Sequence, residues 1–223
     1  MKWLIRVCQV LLVIMVPFVV LMTSVRILLT PLTVDIEYKL PNVQADSYGF
    51  TLSERTTYAK LAVKYLTNSQ GISFLADQTF SNGQPLYNER ELSHMQDVKN
   101  LVQKAILGWY VTGALIILAG FAAWRLHKLS DYWIAMRDGG WATLILIFTI
   151  LVGVTINFDW LFTAFHHIFF TGDTWLFFYS DTLIRLFPME FWMNLFIALG
   201  FFSILFSGIL IWVGNRLSKR KSG

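Results

Sequence analysis

Four apolar runs set the pattern of this chain: residues 7–29, 105–123, 141–157 and 193–213. A helix rises about 1.5 Å per residue, so roughly 20 apolar residues cross a bilayer core about 30 Å thick. All four runs reach that range, the third at its short edge. Between them lie polar stretches of very unequal length. The pattern predicts an all-α membrane protein with four transmembrane helices and a small extracytoplasmic helical cap. Its divisions are a first transmembrane helix at 1–29, a cap segment at 30–104, a second helix at 105–126 and a cytoplasmic loop at 127–140. A third helix at 141–157, an aromatic extracytoplasmic or interfacial segment at 158–192, and a fourth helix with a basic tail at 193–223 complete it. Gly108, Gly113, Gly120 and Gly153 within the runs are expected to let helices approach closely.

The first run follows Lys2 and Arg6, as a signal peptide would. It is long, contains Pro17 and lacks a small-residue cleavage site, so it reads as an uncleaved span. Inside segment 30–104, Thr30-Pro31 stops the preceding helix. Residues 34–40 alternate and predict a short extended stretch. Thr51-Leu52-Ser53-Glu54 fits a capping box, and Tyr58, Leu61, Ala62, Tyr65 and Leu66 follow at helical spacing. Asn68 to Gly71 ends that helix and Asn82-Gly83 is a turn. A second helix starts near Asn88, with Leu92, Met95, Val98 and Leu101 on one side, and runs on into the second span. Two such helices are too few for a large core, so they are expected to rest on the membrane surface and line a chamber with segment 158–192.

Composition agrees with the pattern. Apolar residues make up 56% of the chain and charged ones 14%, against about 25% charged in an ordinary soluble domain. Charge then decides orientation. Placing both termini in the cytoplasm gives the inner segments nine basic residues and two acids, a net of +7. The outer segments then carry nine basic residues and twelve acids, a net of −3. Lys219-Arg220-Lys221 reads as a membrane-surface anchor, and no nucleic-acid partner is expected. The single cysteine, Cys8, excludes an internal disulfide.

Candidate chemistry falls in the outer segments. Segment 158–192 is crowded with Phe, Trp and Tyr, as an interfacial anchor would be. It also holds His166, His167, Asp173, Asp181, Arg185 and Glu190, and ionisable groups near lipid tend to be paired or functional. His94 lies in the other outer segment, with Glu91 and Asp97 three residues to either side, close enough on a helix to orient an imidazole. His166 and His167 are adjacent and point about 100° apart on a helix, so they are not expected to share one task. His127 falls on the cytoplasmic side and reads as solvated. From spacing alone three readings stand. The histidines are interfacial and satisfied by neighbours, or they join carboxylates around zinc, or two imidazoles perform metal-free acid/base work. No G-x-S-x-G elbow, HExxH helix, P-loop or dinucleotide fingerprint occurs.

Three motifs carry a resemblance. Glu91-Leu92-Ser93-His94-Met95-Gln96-Asp97-Val98-Lys99 is one. The second is Phe165-His166-His167-Ile168-Phe169-Phe170 with Asp173-Thr174-Trp175. The third is Asp181-Thr182-Leu183-Ile184-Arg185-Leu186-Phe187-Pro188 with Glu190-Phe191. Together with the four-span layout they resemble the lipoprotein intramolecular transacylase (Lit) family of bacterial membrane proteins. Met189, between Pro188 and Glu190, is a minor departure.

The resemblance implies a cell-membrane enzyme whose substrate is a lipoprotein bearing diacylglyceryl-cysteine. The acyl chain at glycerol sn-2 moves to the cysteine α-amine, leaving the lyso form. It implies His94 and His166 as the catalytic pair, on the extracytoplasmic side. Arg55, Glu91, Asp97, Lys99, His167, Asp173, Asp181 and Arg185 are expected to support them or bind substrate. No metal and no cofactor are expected. The partners are lipoprotein substrates and membrane lipids, and the protein is expected to be a monomer. A metal-dependent membrane hydrolase and a non-enzymatic envelope sensor or assembly protein are the alternatives.

Overall fold

The structure is a computed structural model that describes residues 2–219, and its regular structure is almost entirely α-helix. The elements are α1 (Lys2–Leu28), α2 (Pro31–Glu37), α3 (Leu52–Thr67), α4 (Ser73–Ala76), α5 (Glu89–Arg125), α6 (Leu129–Ile156), α7 (Phe158–Phe169), α8 (Thr182–Leu186) and α9 (Met189–Leu217). Among the described residues, strand pairing is limited to an isolated bridge between Thr79 and Pro85. Helices α1, α5, α6 and α9 are long and apolar enough to cross a membrane. Large apolar side chains such as Ile14, Ile117, Phe148 and Phe201 stand exposed on them. That surface is stable only in an apolar solvent, where a helix is favoured because it pairs most of its backbone polar groups internally.

Two compact units divide the chain. One takes Met1–Ile27, Ile106–Thr155 and Ile197–Gly223. Its core packs Leu12, Val16 and Val20 against Ile116, Ala135 and Met136. The tightest approach is at Gly139, where an added Cβ would lie 2.5 Å from the Val16 Cβ. At Gly214 it would lie 2.8 Å from the Trp133 carbonyl oxygen. The expected glycine Gly113 has nothing within 4 Å, and Gly108 and Gly120 meet only aromatic rings. Close packing therefore falls to other glycines, among them Gly200 inside the fourth run, where an added Cβ would lie 2.9 Å from the Leu151 side chain. Polar side chains within the unit pair off: Trp109 donates to Thr23 at 3.1 Å, and the Ser203 hydroxyl lies 3.2 Å from that of Ser24.

The other unit takes Leu28–Ala105 and Ile156–Phe196, so it gathers both predicted outer segments. They share one core: Val34, Tyr38, Phe50, Ala59, Ala62, Tyr65, Leu75, Leu86, Tyr87 and Met95 pack with Leu183, Leu186 and Phe191. This is a fuller core than two helices alone would make. The capping box on α3 is present, with the Thr51 side chain accepting from the Glu54 N–H and Glu54 accepting from the Thr51 N–H. Residues 34–40 do not form the extended stretch their alternation predicts. Pro31 sits in the first turn of α2, where its missing N–H costs nothing, and Val34 and Glu37 are buried on one helical face. Helix α6 begins at Leu129, so most of the predicted 127–140 loop is helix and the connection shrinks to a tight turn with His127 at φ 56°. Of the basic tail, Arg220 and Lys221 lie outside the described residues.

Candidate active site

His94 and His166 come together in the second unit. Their ring centroids are 5.9 Å apart with 27° between the planes, although 71 residues of chain separate them. Helix α5 delivers His94 from its second turn. Helix α7 delivers His166 from its last turn, and Asn157 caps that helix by accepting from the Trp160 N–H. The two residues are 8% and 7% exposed, so both imidazoles are shielded from solvent.

Aromatic rings make the walls. His94 meets Phe170 at 5.1 Å and Phe177 at 5.4 Å, both edge-on. His166 meets Phe162 at 4.2 Å, Trp175 at 4.8 Å, Phe170 at 5.6 Å and Phe165 at 5.7 Å. Phe170 therefore touches both imidazoles. His166 Nδ1 lies 2.7 Å from the Phe162 carbonyl oxygen. When Nδ1 donates there, the neutral ring carries its free lone pair on Nε2. Burial pushes the His166 imidazole below its ordinary pKa. The Phe162 carbonyl opposes that shift and the neighbouring His167 adds to it. Among the described residues His94 Nδ1 is buried and has no hydrogen-bond partner.

The other predicted residues divide into groups. Glu91 is almost fully buried, but its carboxylate accepts from the Leu183 N–H at 2.6 Å and the Asn88 N–H at 2.8 Å rather than holding His94. Asp97 is exposed. Lys99 is buried, donates to Asn68 and to the Gln70 carbonyl, and sits 4.0 Å from the Tyr65 ring centre, so it closes the end of α3. Arg55 donates to the Arg185 and Gln44 carbonyls, both at 2.7 Å. Arg185 forms a buried two-point ion pair with Asp46 and stacks 3.7 Å from the Phe50 ring centre. Asp181 accepts from the Phe178 N–H and from Asn88. His167 and Asp173 are exposed, and His167 meets the Trp175 ring edge-on at 5.2 Å.

Asp46, Phe170, Trp175 and Phe177 are absent from the sequence-predicted set. The aromatic crowding of 158–192 marked the right segment but could not say which rings face an imidazole. Asp46 sits in a loop with no spacing signal. Among the described residues no three His, Cys, Asp or Glu side chains are grouped as metal ligands would be.

The model of a family described as lipoprotein intramolecular transacylase Lit matches residues 10–192, most of the chain. The chain belongs to the Lit family. An uncharacterised protein of Aquifex aeolicus (strain VF5) is 32% identical over 97% of this chain and 98% of its own length. The fold is similar to that of the membrane integral lipoprotein intramolecular transacylase Lit from Bacillus cereus, with TM-score 0.75, 18% identity and 99% coverage of each chain. Two further structures of that protein, in which one histidine is replaced by arginine or by alanine, match with TM-score 0.69. As a member of the Lit family the chain is a membrane-integral transacylase that acts on lipoproteins.

Proposed function

We propose that this Lit-family protein moves the sn-2 acyl chain of a diacylglyceryl-cysteine to the α-amine of the same cysteine, with His94 and His166 as the catalytic pair. The observation that carries the reading is the 5.9 Å approach of two buried imidazoles inside a ring of aromatic side chains. The amine nitrogen bonds to the ester carbonyl carbon, the bond to the glyceryl oxygen breaks, and one proton passes from nitrogen to that oxygen. A neutral imidazole accepts the proton and returns it to the departing oxygen, a service typically worth about 10²–10⁴-fold. Donor and acceptor belong to one molecule, so holding them in place supplies much of the barrier reduction. Excluding water favours the amine over hydrolysis of the same ester. No metal or cofactor enters these steps.

In this reading the active site faces the extracytoplasmic side. One chain supplies both imidazoles, which supports a monomer as the working unit.

Mass spectrometry of a lipoprotein's N-terminal peptide tests the reaction. Cells carrying the intact protein are expected to yield an N-acyl, mono-O-acyl cysteine. His94→Ala and His166→Ala are each expected to reduce that product at least 100-fold, the lower end of acid/base catalysis at about 10². A free-amine diacylglyceryl form in every strain refutes the reaction, and full activity in either variant refutes the pair.

A further inference from the structure

Both imidazoles are buried by the same piece of chain. Residues 171–178, between α7 and α8, supply Trp175 over His166 and Phe177 against His94. A lipid-bearing cysteine cannot reach either ring while this segment stays in place. Its hydrogen bonds are mostly local. Trp175 donates to the Gly172 carbonyl, the Leu176 N–H to Asp173, and the Phe178 N–H to Asp181 at the segment's end. Among the described residues one hydrogen bond ties the segment to another helix. The Arg90 guanidinium donates to the Leu176 carbonyl at 3.1 Å, and it also lies 5.8 Å from the Phe178 ring centre.

Arg90 is four residues before His94, one turn earlier on the same face of α5. It thus grips the residues on either side of Phe177, the ring that covers His94. The grip is solvent-exposed, the weak kind of contact that opens readily. Open space lies beside it. One cavity of about 390 Å³ is lined by Asn88, Glu89, Arg90, Phe178 and Asp181, and another of about 460 Å³ by Arg90, Asp173, Thr174 and Leu176. Gly172, at φ +74, supplies a left-handed turn at the segment's start that a side chain would strain.

We infer that Arg90 is a positioning residue, a latch that holds segment 171–178 closed over the two imidazoles and must release to admit the lipoprotein. The inference rests on the proposed reaction for its purpose but not for its test. Closure matters twice. An open segment lets substrate in, and a closed one keeps water from the ester. If water attacks instead of the amine, its oxygen bonds to the acyl carbon, the glyceryl oxygen leaves with a proton, and a free fatty acid is released.

Diethyl pyrocarbonate, which acylates accessible neutral imidazoles, reads the latch directly in the full-length protein in detergent. Exposed His127 serves as the internal standard, since His167 touches Trp175 of the segment itself. In the wild type, His94 and His166 are expected to react far more slowly than His127. Arg90→Ala should raise their rates roughly three- to tenfold, as loss of one hydrogen bond shifts a local opening. Arg90→Lys, which keeps a charged donor, should restore much of the protection, and Phe178→Ala should act in the same direction as Arg90→Ala. With a diacylglyceryl lipopeptide, Arg90→Ala should also raise the ratio of free fatty acid to N-acyl product. Protection unchanged in Arg90→Ala, or wild-type rates equal to that of His127, overturns the latch. Failure of N-acylation in the wild type overturns the reaction instead, and leaves the labelling result standing.

Discussion

At His166, burial lowers the imidazole pKa and the Phe162 carbonyl raises it, with burial winning. The shift favours the neutral ring, the form that accepts a proton. The group that limits the reaction at low pH is then the substrate's own α-ammonium, whose unperturbed pKa is about 7.7–8.0. The rate is expected to rise with pH toward about 8, following the amine, with no break at the ordinary histidine value near 6.5. A second fall, from protonation of His166, belongs below that value. A pH–rate profile with its only break at the ordinary histidine value contradicts this assignment. Single residues also show where sequence spacing misleads. Glu91 and Asp97 flank His94 at helical spacing, yet Glu91 faces the Leu183 and Asn88 amides and Asp97 faces water. Spacing says which residues can meet, while competing donors decide which do.

Helix α8, at five residues, is too short to persist by itself. Side chains from elsewhere hold it. Tyr38 donates to the Leu186 carbonyl, Arg55 to that of Arg185, Glu91 receives the Leu183 N–H, and Asp46 pairs with Arg185. Asp46→Ala leaves a buried guanidinium unpaired and is expected to cost about 3–5 kcal/mol. Thermal unfolding in detergent measures it, and replacing both partners with apolar residues should recover most of the loss. Burial pushes the Asp46 carboxyl up, but Arg185, the Phe50 N–H and the Arg55 charge together hold it below the ordinary carboxylate range. Its contribution is therefore complete above the unfolded value of about 3.9 and is lost as pH falls through the lower folded value. In the other unit, Gly139→Ala would press a methyl onto Val16. Overpacking of this kind costs about 1–3 kcal/mol, and an unchanged melting temperature would show that the helices can part there without penalty.

At the scale of the whole molecule the prediction is topological. Nine basic residues in short segments argue for both termini inside the cell. Cys8 replaced by Ser and a single cysteine introduced at Ser53 should give labelling by a membrane-impermeant maleimide in intact cells. A cysteine introduced at Ser218 should react only after lysis, and the reverse pattern inverts the topology. The four spans, the capping box on α3 and the run of α5 from polar to apolar sequence were legible in the chain, because hydropathy and helix capping depend on neighbours within a few residues. The three motifs also marked His94 and His166 as worth pairing. What the chain alone left open is which side chains meet across long separations: the shared core of the two outer segments, the Asp46–Arg185 pair, and the rings of Phe170, Trp175 and Phe177 around the imidazoles. Those contacts come from packing in three dimensions, where many aromatic residues compete for few places and only the folded arrangement selects among them.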